Sequence, residues 1–344
     1  SLHKKYAAMI TVRIKVISGM NITESRAPQD GRFTLQLFGM PVDFRVSSMA
    51  VTHGENVVLR ILDRSKGILS LDELELSDQA MLTMKLLMAR PEGIILVTGP
   101  TGSGKTTTLY SMLDWLNKES VNIMTLEDPV EYPLPMVRQA NVNPDANMGF
   151  AQGIRTLMRQ DPDIILVGEV RDEETAEMAF RAAMTGHQVF STVHANSAIR
   201  AITRLKDIGV TREVMVGNLI GIIAQRLVRR LCSYCREAYH PNETERRLLG
   251  LETSNQNTTI YKPKGCPYCD HQGYKGRRSI LEVLMVDREI EGLIDQNANH
   301  DTMQRAMEQK GFWTLADDGA RNVLEGHTSL EEITRVVDLT ERIH

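Results

Sequence analysis

Residues 93–110 read "GIILVTGPTGSGKTTTLY", and this stretch decides the fold. It begins as an unbroken aliphatic run, the pattern of a strand covered on both faces. "GPTGSGKT" then fits G-x-x-x-x-G-K-[ST], with Gly99, Gly104, Lys105 and Thr106 in the fixed places. A helical stretch, "KTTTLYSMLDWLNK", leaves the motif. A strand entering and a helix leaving separate a phosphate-binding loop from an ordinary glycine-rich turn. The loop Gly99, Pro100, Thr101, Gly102, Ser103, Gly104 is expected to close its backbone N–H groups around phosphate oxygens. Lys105 is expected to reach the β- and γ-phosphates, and the Thr106 hydroxyl to ligate magnesium. Thr107 completes the set. The motif therefore predicts a bound nucleoside triphosphate.

Outward from the loop, strands alternate with helices. "NIMTLE" (122–127), "DIILVGE" (163–169) and "QVFSTVH" (188–194) read as strands, and "DEETAEMAFRAAMTG" (172–186) as a helix. That alternation predicts an α/β fold with a doubly wound parallel sheet. Ligands of such sheets sit outside the carboxyl ends of the strands, so Glu127 and Glu169 are both expected to face the phosphate loop. One would orient water and the other would hold magnesium through its outer shell, with the roles left open. His187 and His194 flank one strand at an odd spacing, which points them to opposite faces and argues against a metal pair. His194, at the carboxyl end, is expected to sense the γ-phosphate, and His187 to orient a loop.

The rest of the chain divides further. Residues 1–65 contain short alternating runs, "TVRIKV", "RFTLQLF", "VDFRVSS" and "NVVLRIL", which read as the strands of a small α+β unit. Ser77 is placed to cap a helix over "DQAMLTMKLLMARPEG". The four cysteines form two C-x-x-C pairs, Cys232 with Cys235 and Cys266 with Cys269, the spacing of a structural Cys₄ zinc site. A redox pair is the rival reading, and His240 and His271 are alternative ligands. From about residue 285 the chain reads as helical. A formal net charge of −4, with no basic and aromatic stripe, argues against direct nucleic-acid binding. No apolar run approaches the roughly 18 residues of a membrane span, and a cytoplasmic setting is expected.

Four segments in series carry a resemblance. "GPTGSGKTTTLYSML", "TLEDPVEY", "DPDIILVGEVRDEETAE" and "GHQVFSTVHAN" resemble the Walker A, Asp box, Walker B and His box of the secretion ATPase superfamily. In that family the Walker B strand ends in Gly-Glu, as Gly168-Glu169 does here. "RIKVISGMNITESRAPQDGRF", "QRLVRRLC" and the paired cysteines make the chain similar to the motors of type II secretion and type IV pilus extension. Retraction motors generally lack the four-cysteine insertion.

The resemblance implies a RecA-like P-loop ATPase domain with a small PAS-like α+β domain before it. The implied boundaries are 1–65 for a partial second amino-terminal domain, 66–77 for a linker and 78–231 for the ATPase core. A zinc-binding insertion over 232–275 and a helical carboxyl-terminal subdomain over 276–344 follow. The chain is expected to start inside that second amino-terminal domain, because no "SDIHIEP"-like motif precedes it. A homohexamer is implied, with ATP between the domains and arginines around it, of which Arg13, Arg26, Arg155, Arg159 and Arg171 match by motif. ATP hydrolysis would power assembly of a pilus or secretion pseudopilus through an inner-membrane platform protein, on which the motor sits peripherally. A P-loop nucleic-acid motor and a nucleotide-binding regulator without turnover are the alternatives.

Overall fold

The computed structural model describes residues 6–37, 39–63, 68–143, 146, 148–251 and 257–342. Residues 1–5 and 64–65 of the expected first domain, 66–67 of the linker, 252–256 of the insertion and 343–344 at the end lie outside the described residues. The chain forms two compact units, 1–67 and 68–344.

In the first unit, helix α1 (Ala7–Ile17) precedes an antiparallel meander of β1 (Gln29–Leu37), β2 (Met40–Val51) and β3 (Gly54–Asp63). Phe33 and Phe44 stand opposite each other in the β1–β2 register and stack at 4.8 Å. "TVRIKV" was expected to alternate as a strand and is instead the body of α1. Its inward stripe is Thr11, Ile14, Lys15 and Ser18, at three- and four-residue spacing. Polar residues on that stripe hide the helical period. Lys15 is buried, donates to the Glu24 carbonyl at 2.7 Å and pairs with Glu55 of β3.

The second unit is built on a seven-stranded sheet. Its elements begin with α2 (Asp78–Met88), β4 (Gly93–Thr98), α3 (Lys105–Leu116), β5 (Ile123–Glu127), β6 (Arg138–Asn141) and α4 (Phe150–Leu157). They continue with β7 (Ile164–Val167), α5 (Glu173–Met184), β8 (Gln188–Val193), α6 (Ala198–Asp207), α7 (Arg212–Met215) and β9 (Leu219–Leu231). The cysteine segment holds β10 (Glu237–Tyr239), α8 (Glu243–Leu248) and β11 (Ile260–Lys262). Strand β12 (Tyr274–Met285) precedes α9 (Arg288–Asp295), α10 (His300–Gln309), α11 (Leu315–Leu324) and α12 (Leu330–Val336). The order across the sheet is β12-β9-β4-β8-β7-β5-β6, parallel throughout except for β12 on β9.

Alternate residues of the central strands face opposite cores. Ile94, Leu96, Ile165, Val167 and Val189 pack with α4, α5 and α6, whereas Ile95, Val97, Leu166 and Phe190 pack with α2 and α3. This double covering is why "IILV" carries no polar position. Ser77 caps α2 by accepting from the Ala80 N–H, as expected.

Two expected boundaries shift. The segment 276–285 was assigned to a helical subdomain, but it is most of β12, an edge strand of the main sheet. Ile280, Leu281 and Leu284 are buried there and join different core clusters, so both faces of the strand are covered. Residues 68–77 pack as part of the second unit and not as a free tether. Leu71 and Leu74 are buried in its core, and Glu75 pairs with Arg230 and Arg278 of the β9–β12 pair.

Candidate functional site

Strand β4 delivers the chain into the loop, and α3 takes it away. Gly99 lies at φ +149°, and a Cβ there would stand 2.5 Å from the Gln225 carbonyl oxygen. Gly104 lies at φ +90°, with Gln225 Nε2 2.8 Å from where its Cβ would be. Both positions require glycine. The loop therefore rests on Gln225 of β9, whose side chain is itself held by Thr108 Oγ1 at 2.7 Å. Lys105 opens α3, and its Nζ donates to the carbonyls of Gly99 (2.9 Å) and Pro100 (3.2 Å). Burial lowers the Lys105 pKa and the Glu169 charge opposes that shift. Thr101 and Gly102 are exposed, and Thr106 and Thr107 are half-buried in the first turn of α3. Ser103 Oγ is buried with no partner among the described residues. An unpartnered hydroxyl within the glycine-rich loop fits a phosphate group.

Beyond β7, Gly168 leaves room for Glu127, whose Cα would lie 3.3 Å from a Cβ at 168. Glu169 is 15% exposed, with Arg171 Nη2 at 2.5 Å and His194 Nε2 at 3.8 Å. His194 and Gly99 line one cleft of ≈ 610 Å³, together with Pro100, Asn196, Arg200 and Arg204. Glu169, His194, Arg171 and Lys105 thus share one neighbourhood at the carboxyl ends of β4, β7 and β8.

The Glu127 carboxylate has other partners. It is buried, and its carboxylate accepts from Tyr110 OH (2.5 Å), Thr125 Oγ1 (2.6 Å) and Gln139 Nε2 (3.2 Å). The rule of strand ends locates the edge of the sheet but not which face a side chain takes. Glu127 shares its face with Thr125, two residues earlier, and that face is closed by Tyr110 of α3. Of the two carboxylates expected at the phosphate loop, Glu169 lies beside His194 and Arg171, while Glu127 is engaged by Tyr110, Thr125 and Gln139.

The remaining arginines each have their own setting. Arg155 Nε lies 3.2 Å from Met178 Sδ and its Nη2 3.4 Å from Glu174, while Arg159 donates to the Arg155 carbonyl at 2.8 Å. Both sit at the end of α4. Arg13 on α1 and Arg26 before β1 are exposed residues of the other unit. His187 Nδ1 lies 2.8 Å from the Ala182 carbonyl and ties the α5–β8 turn. Gln225 was missed, although a glutamine inside an aliphatic strand is a signal, since buried amides need partners.

The cysteines converge between β9 and β12. All four sulfurs lie within 4.8 Å of one another, with Cys232–Cys266 at 3.9 Å and Cys235–Cys269 and Cys266–Cys269 at 3.8 Å. A tetrahedral ion with about 2.3 Å metal–sulfur bonds needs sulfurs about 3.8 Å apart. The Cys269 sulfur also accepts from the N–H groups of Cys266 (3.3 Å) and Gly273 (3.2 Å). Burial works against its thiolate, yet these amides and the neighbouring thiols bring its pKa down to about 6. The donor set and spacing fit a thiolate-bound ion.

A doubly wound sheet, a glycine loop at one strand end and a cysteine knuckle between two paired strands define a phosphate-loop fold with a four-cysteine insertion. The family model described as "Type II/IV secretion system protein" matches residues 1–335, and the chain belongs to that family. It is 46% identical over 333 residues to type II secretion system protein E of Pseudomonas aeruginosa, covering 97% of this chain and 66% of the relative. It is 44% identical, with the same coverage, to type II secretion system ATPase E of Vibrio cholerae. The chain therefore spans about two thirds of the length of these relatives. Among solved structures it resembles the pilus retraction motor PilT with bound ADP, at TM-score 0.66 and 31% identity over 91% of this chain and 78% of that one. The Legionella pneumophila ATPase DotB shares the fold, at TM-score 0.69 and 21% identity over 97% and 84% of the two chains.

Proposed function

We propose that this chain is the ATP-hydrolysing motor subunit of a type II secretion or type IV pilus assembly system. The observation that carries the reading is the meeting of Glu169 and His194 beside the loop that holds Lys105. The loop amides, Lys105 and Thr106 would hold a triphosphate and its magnesium, which would supply charge neutralisation. Glu169 orients the attacking water, and His194 sits where it can report the γ-phosphate. Arg171 offers positive charge next to Glu169. Arg155 and Arg159, and Arg13 and Arg26 of the first unit, are proposed as further charge partners on the family resemblance alone. Glu127, bound by Tyr110 of α3, ties that helix to the sheet.

The cysteine tetrad is proposed to bind one structural zinc ion. By family, the motor works as a homohexamer at the cytoplasmic face of the inner membrane, bound peripherally to a platform protein. The four-cysteine insertion favours extension or secretion over retraction.

Steady-state ATP turnover across a wide range of protein concentration tests the reading. Specific activity should climb and saturate as rings assemble. Glu169→Gln should bind ATP normally and lose turnover by roughly 100-fold or more. Nucleotide binding with no wild-type turnover would instead indicate a regulatory module. Salt-sensitive retention on DNA would favour a nucleic-acid motor.

A further inference from the structure

The segment from His194 to Ala198 carries the histidine beside Glu169 into α6, and buried side chains of three strands grip it. Thr98, which ends β4 next to Gly99, accepts from the Ala195 N–H at 2.8 Å and donates to the Val193 carbonyl at 3.0 Å. Arg226 of β9, only 8% exposed, donates through Nη2 to the carbonyl (2.9 Å) and side-chain oxygen (3.3 Å) of Asn196. Its Nη1 donates to the Gln225 carbonyl at 3.0 Å, the same oxygen that crowds Gly99. Glu282 of β12, 5% exposed, accepts from the Ala198 N–H at 2.7 Å and from the Leu315 N–H at 3.2 Å.

One guanidinium therefore touches both the segment that carries His194 and the support of the phosphate loop. Burying that charge is costly, and burial lowers the Arg226 pKa while Glu282 opposes the shift. The planar fork meets two segments at fixed angles, which a lysine does not reproduce. Nothing in the nucleotide-binding motif requires such an arginine.

We propose that Arg226, together with Glu282 on the Ala198 N–H, is a positioning residue that fixes the His194–Ala198 segment against the phosphate loop and so holds the Glu169–His194 pair in place for turnover. The proposal rests on the hydrolytic reading above. A misplacement of about 1 Å at a reacting centre can cost about 100-fold in rate, whereas nucleotide affinity depends on the loop amides and Lys105.

The test compares Arg226→Lys and Glu282→Gln in the full chain. ATP turnover, binding of fluorescent ADP and amide hydrogen exchange over 194–200 are measured together. Arg226→Lys should lower kcat at least about 10-fold, keep KM and ADP affinity within about threefold, and raise exchange over 194–200. In a His194→Ala background the same change should cost little more, because the histidine it places is gone. An undiminished loss in that background overturns the proposal, as does a kcat within about twofold of wild type in both variants. If Arg226→Lys does not fold, the near-isosteric Glu282→Gln decides by the same readouts. If the wild-type protein shows no turnover, the hydrolytic reading fails separately. Exchange then decides the clamp: a rise over 194–200 supports it and no change refutes it.

Discussion

Of the three phosphate-loop glycines at positive φ, Gly99 and Gly102 differ in what a side chain would meet. A methyl at Gly99 would meet Gln225 O at 2.5 Å and Ser103 Oγ at 2.6 Å, whereas one at Gly102, φ +79°, would meet nothing within 4 Å. Gly99→Ala should therefore weaken ADP binding by at least roughly 10-fold and lower the melting temperature, because backbone must move. Gly102→Ala should cost only about 1–2 kcal/mol of backbone strain and leave binding within a few-fold. Titration with fluorescent ADP checks the ranking, and equal effects would contradict it. At Glu127, burial and the adjacent carboxylate push the Tyr110 hydroxyl pKa well above its ordinary value, so it remains a donor. Tyr110→Phe should destabilise the protein by about 1–3 kcal/mol in urea unfolding, since a buried acceptor loses its shortest bond. The glycine and lysine positions were legible in sequence because their spacing is dictated by phosphate geometry. The burial of Glu127 was not, because only packing reveals which face of a strand a side chain takes.

Elements show the same division. The strands around the loop were legible because aliphatic runs between helices have few other solutions. "TVRIKV" was misread because a buried lysine on its inward stripe disguised a helix, whereas the helical region that the resemblance implied from residue 276 begins only after β12. The long strand β9 also binds the last helix through a carboxylate. Glu332 of α12 is fully buried and takes Arg229 Nη2 and Arg335 Nη2 at 2.6 Å each. Burial pushes its pKa up, but Arg335 and Arg229 outweigh that and hold it at about 2. Because the folded value lies below the ordinary 4.5, this stabilisation is present above pH 4.5 and is lost as pH falls through about 2. Glu332→Gln should accordingly flatten the fall of melting temperature over that acid window while lowering stability at neutral pH. An unchanged acid slope would count against the carboxylate's role.

At the scale of the molecule, the second unit joins a nucleotide-type core to a cysteine insertion, and the C-x-x-C spacing made that insertion legible in advance. Metal analysis should find one zinc per chain. Removal with a chelator and a thiol reagent should lower the melting temperature while leaving ADP binding to the phosphate loop intact. A folded, zinc-free protein with unchanged melting would refute the structural assignment. The tetrad also bears on how the chain reaches this fold. Strands β9 and β12 pair across the whole of residues 232–273, and the entropy of closing such a loop grows with the logarithm of its length. An ion taken up at the cysteines ties residues 232 and 269 before the strands meet, leaving only the short approach to Tyr274 to close. Metal availability should then set the speed of refolding as well as the depth of the native basin, with β12 the strand that arrives late when the ion is withheld.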